Sequence, residues 1–388
     1  MKLVYADNNA TTMVAPEAFA AMEPYLNQEY GNPSSMHTFG GKIRPEIDKA
    51  RARVAELIGA NDPSEIIFTS CGTESDNAAI ISALRSYSDK RHIITTKVEH
   101  PAVLNLCKYH ENEGFRVTCL GVDSDGLLDI NELKSVIDHD TAVISVMHAN
   151  NETGVIFPIE EIAEVARERE VVFHTDAVQT AGKIPFKMTQ IPIDMVSISG
   201  HKLHAPKGIG ALYVRKGTRF SPHIVGGHQE ESRRGGTENV ASIIAFGVAC
   251  ELALKSLDDE NKRVKALRDK LEKAILKEIA YAKVNGSTEN RLPNTSNIGF
   301  EFIEGESILL KLDEKGIAAS SGSACTSGSL TPSHVLRAMG VPFTYIQGSV
   351  RFSLSRYNTE KEIDYIIREL PPIVKRLREI SPYSKTKQ

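Results

Sequence analysis

A chain of 388 residues is too long for one compact core and points to two or three domains. Apolar residues are 41 % and charged residues 25 %, ordinary for a soluble globular protein, and a net charge of −4 argues against a nucleic-acid or anionic-membrane surface. The opening meets Asp7 too early for a signal-peptide apolar region, and no apolar run approaches the roughly 20 residues of a spanning helix, so a cytoplasmic location is expected.

Short β-branched runs alternate with helical patterns through the middle of the chain. The first strand candidate is 66–69, and Ser70-Cys71-Gly72-Thr73-Glu74-Ser75-Asp76-Asn77 after it opens a helix. Glycine and hydroxylic residues there expose N–H groups and hydroxyls at a positive helix end, which favours a phosphate; an ordinary N-cap with a first-turn acid explains the same residues. The next strand, 92–96, leads to Glu99-His100-Pro101, with proline suited to a first helical turn. The His100 imidazole is either a structural hydrogen-bonding group or one that stacks on a flat ring and shuttles protons. Strands follow at 116–120 and 142–147, the second running into His148-Ala149-Asn150-Asn151-Glu152-Thr153-Gly154. Turn chemistry accounts for that polar cluster, and so would a site at the strand end. An amphipathic helix is predicted over 159–170, with Ile162, Val165 and Ala166 on one face.

The strand 171–174 is continued by His174-Thr175-Asp176-Ala177-Val178-Gln179, and 195–198 by Ser199-Gly200-His201-Lys202; 211–214 is the seventh strand candidate. Strand–helix alternation predicts an α/β domain on a mostly parallel sheet, with room for one reversed strand. Ligands of such sheets bind beyond the carboxyl ends of the strands, where these polar motifs fall. An amine just past a buried strand, among small hydroxylic neighbours, suits Schiff-base chemistry on pyridoxal phosphate (PLP), which also needs a carboxylate for its pyridinium nitrogen. Lys202 and Asp176 form such a pair, although Lys202 taken alone reads by default as a solvated surface lysine and Asp176 as a cap. Gln179 is then a neighbour of the cap or a donor to a ring oxygen.

The stretch 226–239, with Arg233 and Arg234, reads as a mobile cationic loop ending in a helix cap: a surface loop, or a contact for phosphate or carboxylate. The run 240–257 closes the large domain. Beyond Asp258 the pattern changes to a charged helix over 261–279, strand-like 297–300, another helix and strand-like 348–354, a smaller α+β domain. The expected division is 15–257 for the large domain, with 1–14 and 258–388 in the small one, and a frayed tail from Ser381. The five cysteines are odd in number and widely spaced, without a C-x-x-C, so no disulfide framework or zinc knuckle is indicated. Cys107, Cys119 and Cys250 have apolar neighbours and read as core residues, while Cys71 sits in a turn. Cys325 lies among small residues in a loop at about 320–332 with nothing to bury, which points to an exposed, reactive thiol. Arg351 interrupts an alternating strand and is either a carboxylate clamp or half of a structural salt bridge.

With these motifs assembled, the chain resembles the cysteine desulfurases, in the class-V branch of fold-type-I PLP enzymes. The matching stretches are Tyr5-Ala6-Asp7-Asn8-Asn9-Ala10-Thr11-Thr12, Tyr30-Gly31-Asn32-Pro33-Ser34-Ser35, 69–77, Glu99-His100-Pro101, 148–154, 174–179, Ser199-Gly200-His201-Lys202, 233–239, 320–329 and Arg351-Phe352-Ser353, in family order over nearly the whole chain. The segment around Cys325 is similar to the long-loop NifS/IscS subgroup, and Arg233-Arg234-Gly235-Gly236-Thr237-Glu238-Asn239 to its nitrogen-fixation type. Departures at Ala6 and at 229–232 bear at most on dimer contacts.

The resemblance implies a fold-type-I transferase with a seven-stranded, mostly parallel sheet flanked by helices, and a smaller α+β domain. It implies that Lys202 would hold PLP and later move the Cα proton, Asp176 would pair with the pyridinium nitrogen, Gln179 would donate to the ring oxygen, and His100 would stack on the ring and act as acid or base. Gly72, Thr73, Ser199 and His201 would hold the phosphate with Thr237 from the second subunit of a homodimer. Asn151 and Arg351 would orient the substrate, L-cysteine. Cys325 would take its sulfur as a persulfide, release L-alanine, and pass the sulfur to an iron–sulfur scaffold or other acceptor. No resident metal is implied, Cys325 alone ligating a cluster transiently through its persulfide, and no nucleic acid or membrane partner. A selenocysteine lyase or related class-V aminotransferase is the alternative, although an aminotransferase has no use for the Cys325 thiol. Intact Lys202, Asp176 and Cys325 argue against a sulfur scaffold that has lost catalysis.

Overall fold

The protein's structure, a computed structural model, describes residues 3–321 and 332–382. The chain enters through β1 (Val4–Tyr5), which pairs with a segment from far along the sequence, and then builds one large sheet. Its strands are β2 (Ile66–Thr69), β3 (His92–Thr96), β4 (Arg116–Leu120), β5 (Thr141–Ser145), β6 (Val172–Asp176), β7 (Met195–Ser199) and β8 (Gly210–Val214), in spatial order β2-β8-β7-β6-β5-β3-β4. Only β8 is reversed, antiparallel to both β2 and β7; the other pairings are parallel. The sheet matches the predicted seven strands, including the room left for one reversed strand.

Every residue of β3, β5, β6, β7 and β8 is buried, because apolar layers cover both faces. Consecutive residues take opposite faces, as strand geometry requires. Ile94, Ile144, Phe173 and Val196 join one core with the helices Arg44–Ile58 and Val240–Lys255, whereas Ile93, Val143, Val172 and Met195 join another with Gly72–Ser86 and Pro101–Asn112.

Two strand ends differ from expectation in ways that matter for the site. The strand predicted over 142–147 stops at Ser145, because the Met147 N–H turns away to donate to the Glu99 carboxylate at 2.9 Å. The strand predicted over 171–174 runs on to Asp176, making that carboxylate its last residue.

After Val240–Lys255 the chain passes through a π-helical turn, Glu260–Val264, into the helix Lys265–Glu278, so the single helix predicted over 261–279 is broken at its start. There follow β9 (Ala282–Val284), β10 (Thr295–Phe300), β11 (Ile317–Ala318) and β12 (Ser349–Ser353). An antiparallel sheet has the order β12-β10-β9, and β11 pairs in parallel with β1. The last helix, Glu360–Ile380, opens with a reciprocal capping box between Thr359 and Glu362. Val4, Ala6, Leu271, Ile298, Phe352 and Ile366 share one core. Val335, Leu336, Met339 and Ile346 instead join the core of the large sheet.

Cys107 and Cys250 are buried as expected, but Cys119 is half-buried because edge strand β4 is covered incompletely. The tail is tied down at its start, where the buried Ser381 hydroxyl donates to the Phe302 carbonyl at 2.5 Å; residues 383–388 lie outside the described residues. Among the described residues no single helix is long and apolar enough to cross a membrane.

Candidate active site

The polar residues at the carboxyl ends of β2, β3, β6 and β7 converge on one cavity, the usual ligand position of an open α/β sheet. It is lined by Gly72, Thr73, His100, Asn151, Asp176, Gln179, Ser199, His201, Lys202 and Arg351, all singled out from the sequence.

One end suits an anion. The helix Gly72–Ser86 starts there, and its N-cap Cys71 supplies no side-chain hydrogen bond, so the positive helix end is left to a ligand. A Cβ on Gly72 would lie 2.9 Å from Val178 Cγ2 and 3.4 Å from Ser199 Cβ, so glycine keeps a cradle open that any side chain would fill. His201 approaches Thr11 Oγ1 through Nδ1 at 3.1 Å, and burial followed by the Lys202 charge lowers its pKa to about 4.

At the centre Lys202 Nζ donates to the Asn9 and Ala10 carbonyls, each at 2.6 Å. Asp176 accepts the Val178 N–H at 2.8 Å; burial raises its pKa, against that bond and the Lys202 charge. Behind it runs a polar row: the two ring nitrogens of His174 sit 2.9 Å from Ser145 Oγ and Ser197 Oγ, and Asp76 Oδ1 lies 3.6 Å from His174 Nε2. Burial, then repulsion from Asp176, holds the Asp76 carboxyl far above the usual range against a hydrogen bond from Ser197. Asp76 was not among the expected site residues. Glu74 is the first-turn acid, whereas the i, i+4 spacing of Asp76 from Gly72 places it on the cavity face.

His100 resolves toward structure without leaving the site. Its Nδ1 accepts the Ala102 N–H at 3.1 Å and so caps the helix Pro101–Asn112, while the ring lines the cavity. Burial, then Lys202 and His334, lower its pKa to about 4, leaving a neutral imidazole at physiological pH. Arg351 likewise resolves into an ion pair: Nη2 donates to Asp7 Oδ1 at 2.8 Å and Nη1 to the Asn151 carbonyl at 2.9 Å, while its buried Nε has no hydrogen-bond partner among the described residues. Gln179 donates through Nε2 to the Asn9 carbonyl at 3.1 Å. The Asn9 carbonyl is therefore shared by Lys202 and Gln179, a backbone role that no side-chain motif announces.

One expected residue, Thr237, is not brought together with the rest. Thr237 is exposed and lines no part of this cavity, and Cys325 lies outside the described residues. The loop predicted as mobile over 226–239 is pinned instead. Glu230 is buried, receives two hydrogen bonds from Arg51 at 2.6 and 2.7 Å, and accepts the Phe68 N–H at 2.8 Å; Arg234 pairs with Glu74 at 2.9 Å.

A helix-covered sheet that sets a lysine, a buried carboxylate and a helix N-terminus around one cavity defines a PLP-dependent enzyme of fold type I. The chain belongs to the class-V aminotransferase family, which matches residues 4–366. It is 60 % identical over 384 residues to cysteine desulfurase 2 of Trichormus variabilis, covering 99 % of this chain and 96 % of that protein. To the cysteine desulfurase NifS of Azotobacter vinelandii it is 58 % identical over 380 residues, 98 % of this chain and 94 % of that one. A solved NifS-like protein superposes with a TM-score of 0.91 at 40 % identity, covering 97 % of this chain and all of the other. The cofactor is PLP, and the residues present fit it: the cradle at Gly72 suits the phosphate, and Asp176 suits a ring N–H.

Proposed function

We propose that the protein is a PLP-dependent cysteine desulfurase, converting L-cysteine to L-alanine while Cys325 takes the sulfur as a persulfide. The observation that carries this reading is the gathering of Lys202, Asp176 and His100 around one cavity whose far end is the helix terminus at Gly72. PLP, when bound, supplies the electron sink that stabilises negative charge on the substrate carbon. Lys202 holds it through Nζ and moves the Cα proton, and Asp176 pairs with the pyridinium nitrogen. The Gly72 amide, Thr73, Ser199 and His201 hold the phosphate, joined by Thr237 of the partner subunit. Gln179 donates to the ring oxygen, and His100 stacks on the ring. Because His100 Nδ1 is occupied as a cap acceptor, its proton resides on Nε2. Asn151 orients the substrate, and Arg351 engages its carboxylate, for which Nε, without a hydrogen-bond partner among the described residues, is a ready donor.

The sulfur step balances within the active site. The Cys325 thiolate attacks the substrate sulfur, an S–S bond forms, and the Cβ–S bond breaks with its electron pair going to carbon, which collects a proton to become the alanine methyl group. The persulfide then passes sulfur to an acceptor protein, an iron–sulfur scaffold or another thiolation carrier. We place the enzyme in the cytoplasm as a homodimer, with 15–257 as the PLP-binding domain and 1–14 with 258–388 as the smaller one. The shared core of Val4, Ala6, Leu271, Ile298, Phe352 and Ile366 supports that division, while Val335, Leu336, Met339 and Ile346 belong to the larger core.

The test is release of alanine and sulfide from L-cysteine in the presence of a thiol reductant. Wild type is expected to be yellow and to release both in equal amounts. Lys202→Ala should lose covalently held PLP, and Cys325→Ala should bind cysteine, seen as a change in the visible spectrum, yet release almost no sulfide. A colourless wild type that cannot be loaded with PLP, or full sulfide release by Cys325→Ala, would sink the reading.

A further inference from the structure

Gln179 ends in an amide, whose two ends have nearly the same shape and opposite hydrogen-bonding character. Its partners decide which end faces the cavity. On one side stands the Asn9 carbonyl, which accepts from Gln179 Nε2 at 3.1 Å and from Lys202 Nζ at 2.6 Å. On the other stands Lys183, one turn further along the chain, whose Nζ donates to Gln179 Oε1 at 3.0 Å. Lys183 is only 7 % exposed, and Gln179 Oε1 is its one hydrogen-bond acceptor among the described residues. A buried lysine of this kind calls for a specific reason, since desolvating an ammonium is costly unless it is paired.

A charged lysine offers three donors and no acceptor. It therefore accepts only one orientation of the Gln179 amide, oxygen toward Lys183 and NH2 toward Asn9 and the cavity. We infer that Lys183 is a positioning residue that locks the Gln179 amide so that it presents a donor, never an acceptor, to the cofactor's ring oxygen. The charged groups around Lys183 are Lys202 beyond β7, Glu260 in the π-helical turn, Arg351 on β12, and His201 and His204, which feel its charge. Burial, then Lys202, push the Lys183 pKa down to about 7 while Glu260 opposes them, so the lock is fullest on the acid side of neutrality. With Lys183 neutral, its lone pair could accept from the flipped amide.

The inference rests on the PLP site proposed above, and its test reads cofactor binding rather than turnover. PLP dissociation constants would be measured at pH 6.5 for wild type, Lys183→Met, Gln179→Ala and the double variant, with melting of each apoprotein as the control for folding. Lys183→Met is expected to weaken PLP binding about tenfold, the scale of one hydrogen bond involving a charged group. The double variant should bind no worse than Gln179→Ala, because with no amide to orient Lys183 has nothing to contribute. A further loss in the double variant equal to that in the single one would overturn the inference, since a merely structural lysine acts regardless of Gln179. If Lys183→Met does not fold, Lys183→Arg and Lys183→Gln decide: the donor-only arginine should retain PLP, and the two-faced glutamine should lose affinity. Equal affinities in those two variants would overturn the inference. A wild type that takes up no PLP would overturn the proposed function, whereas a wild type that takes it up as tightly as Lys183→Met overturns this inference alone.

Discussion

His100 shows how one side chain serves the fold and the chemistry through different atoms. Nδ1 accepts the Ala102 N–H and ends the approach to Pro101–Asn112, while the ring lines the cavity beside Lys202. Replacement by asparagine keeps a cap acceptor and removes the ring; alanine removes both. We expect His100→Asn to melt close to wild type at pH 7.5 and His100→Ala to lose about 1 kcal/mol, with turnover falling steeply in both. The two variants thus separate the roles that the sequence left open. The sign of the pH effect follows from the lowered pKa of about 4. A group that binds its proton less well when folded contributes stability above its unfolded pKa of about 6.5, and that stability is lost as pH falls toward 4. At pH 5 the wild type should therefore have lost about 2 kcal/mol that His100→Asn does not lose. Urea unfolding of both proteins at pH 7.5 and pH 5 measures the difference, and parallel losses would refute it.

The strands of the large sheet and the helices at 159–170 and 261–279 were legible because their signals are local. β-Branched runs bounded by turns gave all seven strands of the large sheet, and the motifs carrying Gly72, His100, Asn151, Asp176 and Lys202 each lie at or just beyond the carboxyl end of one of them. The loop 226–239 was not legible, because what pins it is remote in sequence. Glu230 lies 179 residues from Arg51, and nothing beside it announces that it is buried. Its backbone is also unusual: Glu230, Glu231 and Ser232 all have left-handed φ, 47°, 56° and 64°, without a glycine among them. Each such residue costs roughly 1 kcal/mol, so the turn persists only because Glu230 is held by Arg51 and the Phe68 N–H. Glu230→Ala is expected to destabilise the protein by about 3 to 5 kcal/mol, since it leaves a largely buried arginine unpaired. Adding Arg51→Met should recover most of that loss. Chemical denaturation of the three proteins tests the coupling, and additive losses would rule it out. Asp76 and Lys183 escaped the sequence for the same reason as Glu230: each acquires its role from burial and a tertiary neighbour, while its own stretch of chain reads as ordinary helix or turn.

At the scale of the whole molecule, ten of the expected residues line one cavity, whereas Thr237 is exposed and outside it. The same molecule exposes Phe19, Leu26, Tyr30, Met36 and Phe39 within one short stretch, with the Tyr30 and Phe39 rings 5.1 Å apart. Apolar side chains exposed together are the usual mark of a surface that another protein covers. A homodimer accounts for both features if it buries the apolar stretch and carries Thr237 to the neighbouring cavity. Complementation distinguishes that arrangement from one in which each chain is self-sufficient. Lys202→Ala destroys the site on its own protomer but leaves Thr237 to offer, while Thr237→Val keeps Lys202 and offers nothing to its neighbour. In a hybrid dimer one cavity then combines an intact Lys202 with an intact Thr237, and the other has neither. When the two variants are unfolded, mixed in equal amounts and refolded at limiting PLP, half of the dimers should be hybrids with one complete site in two, restoring about a quarter of wild-type cofactor binding. If Thr237 instead serves its own chain, or if the protein is a monomer, the mixture binds only the average of the two variants measured separately.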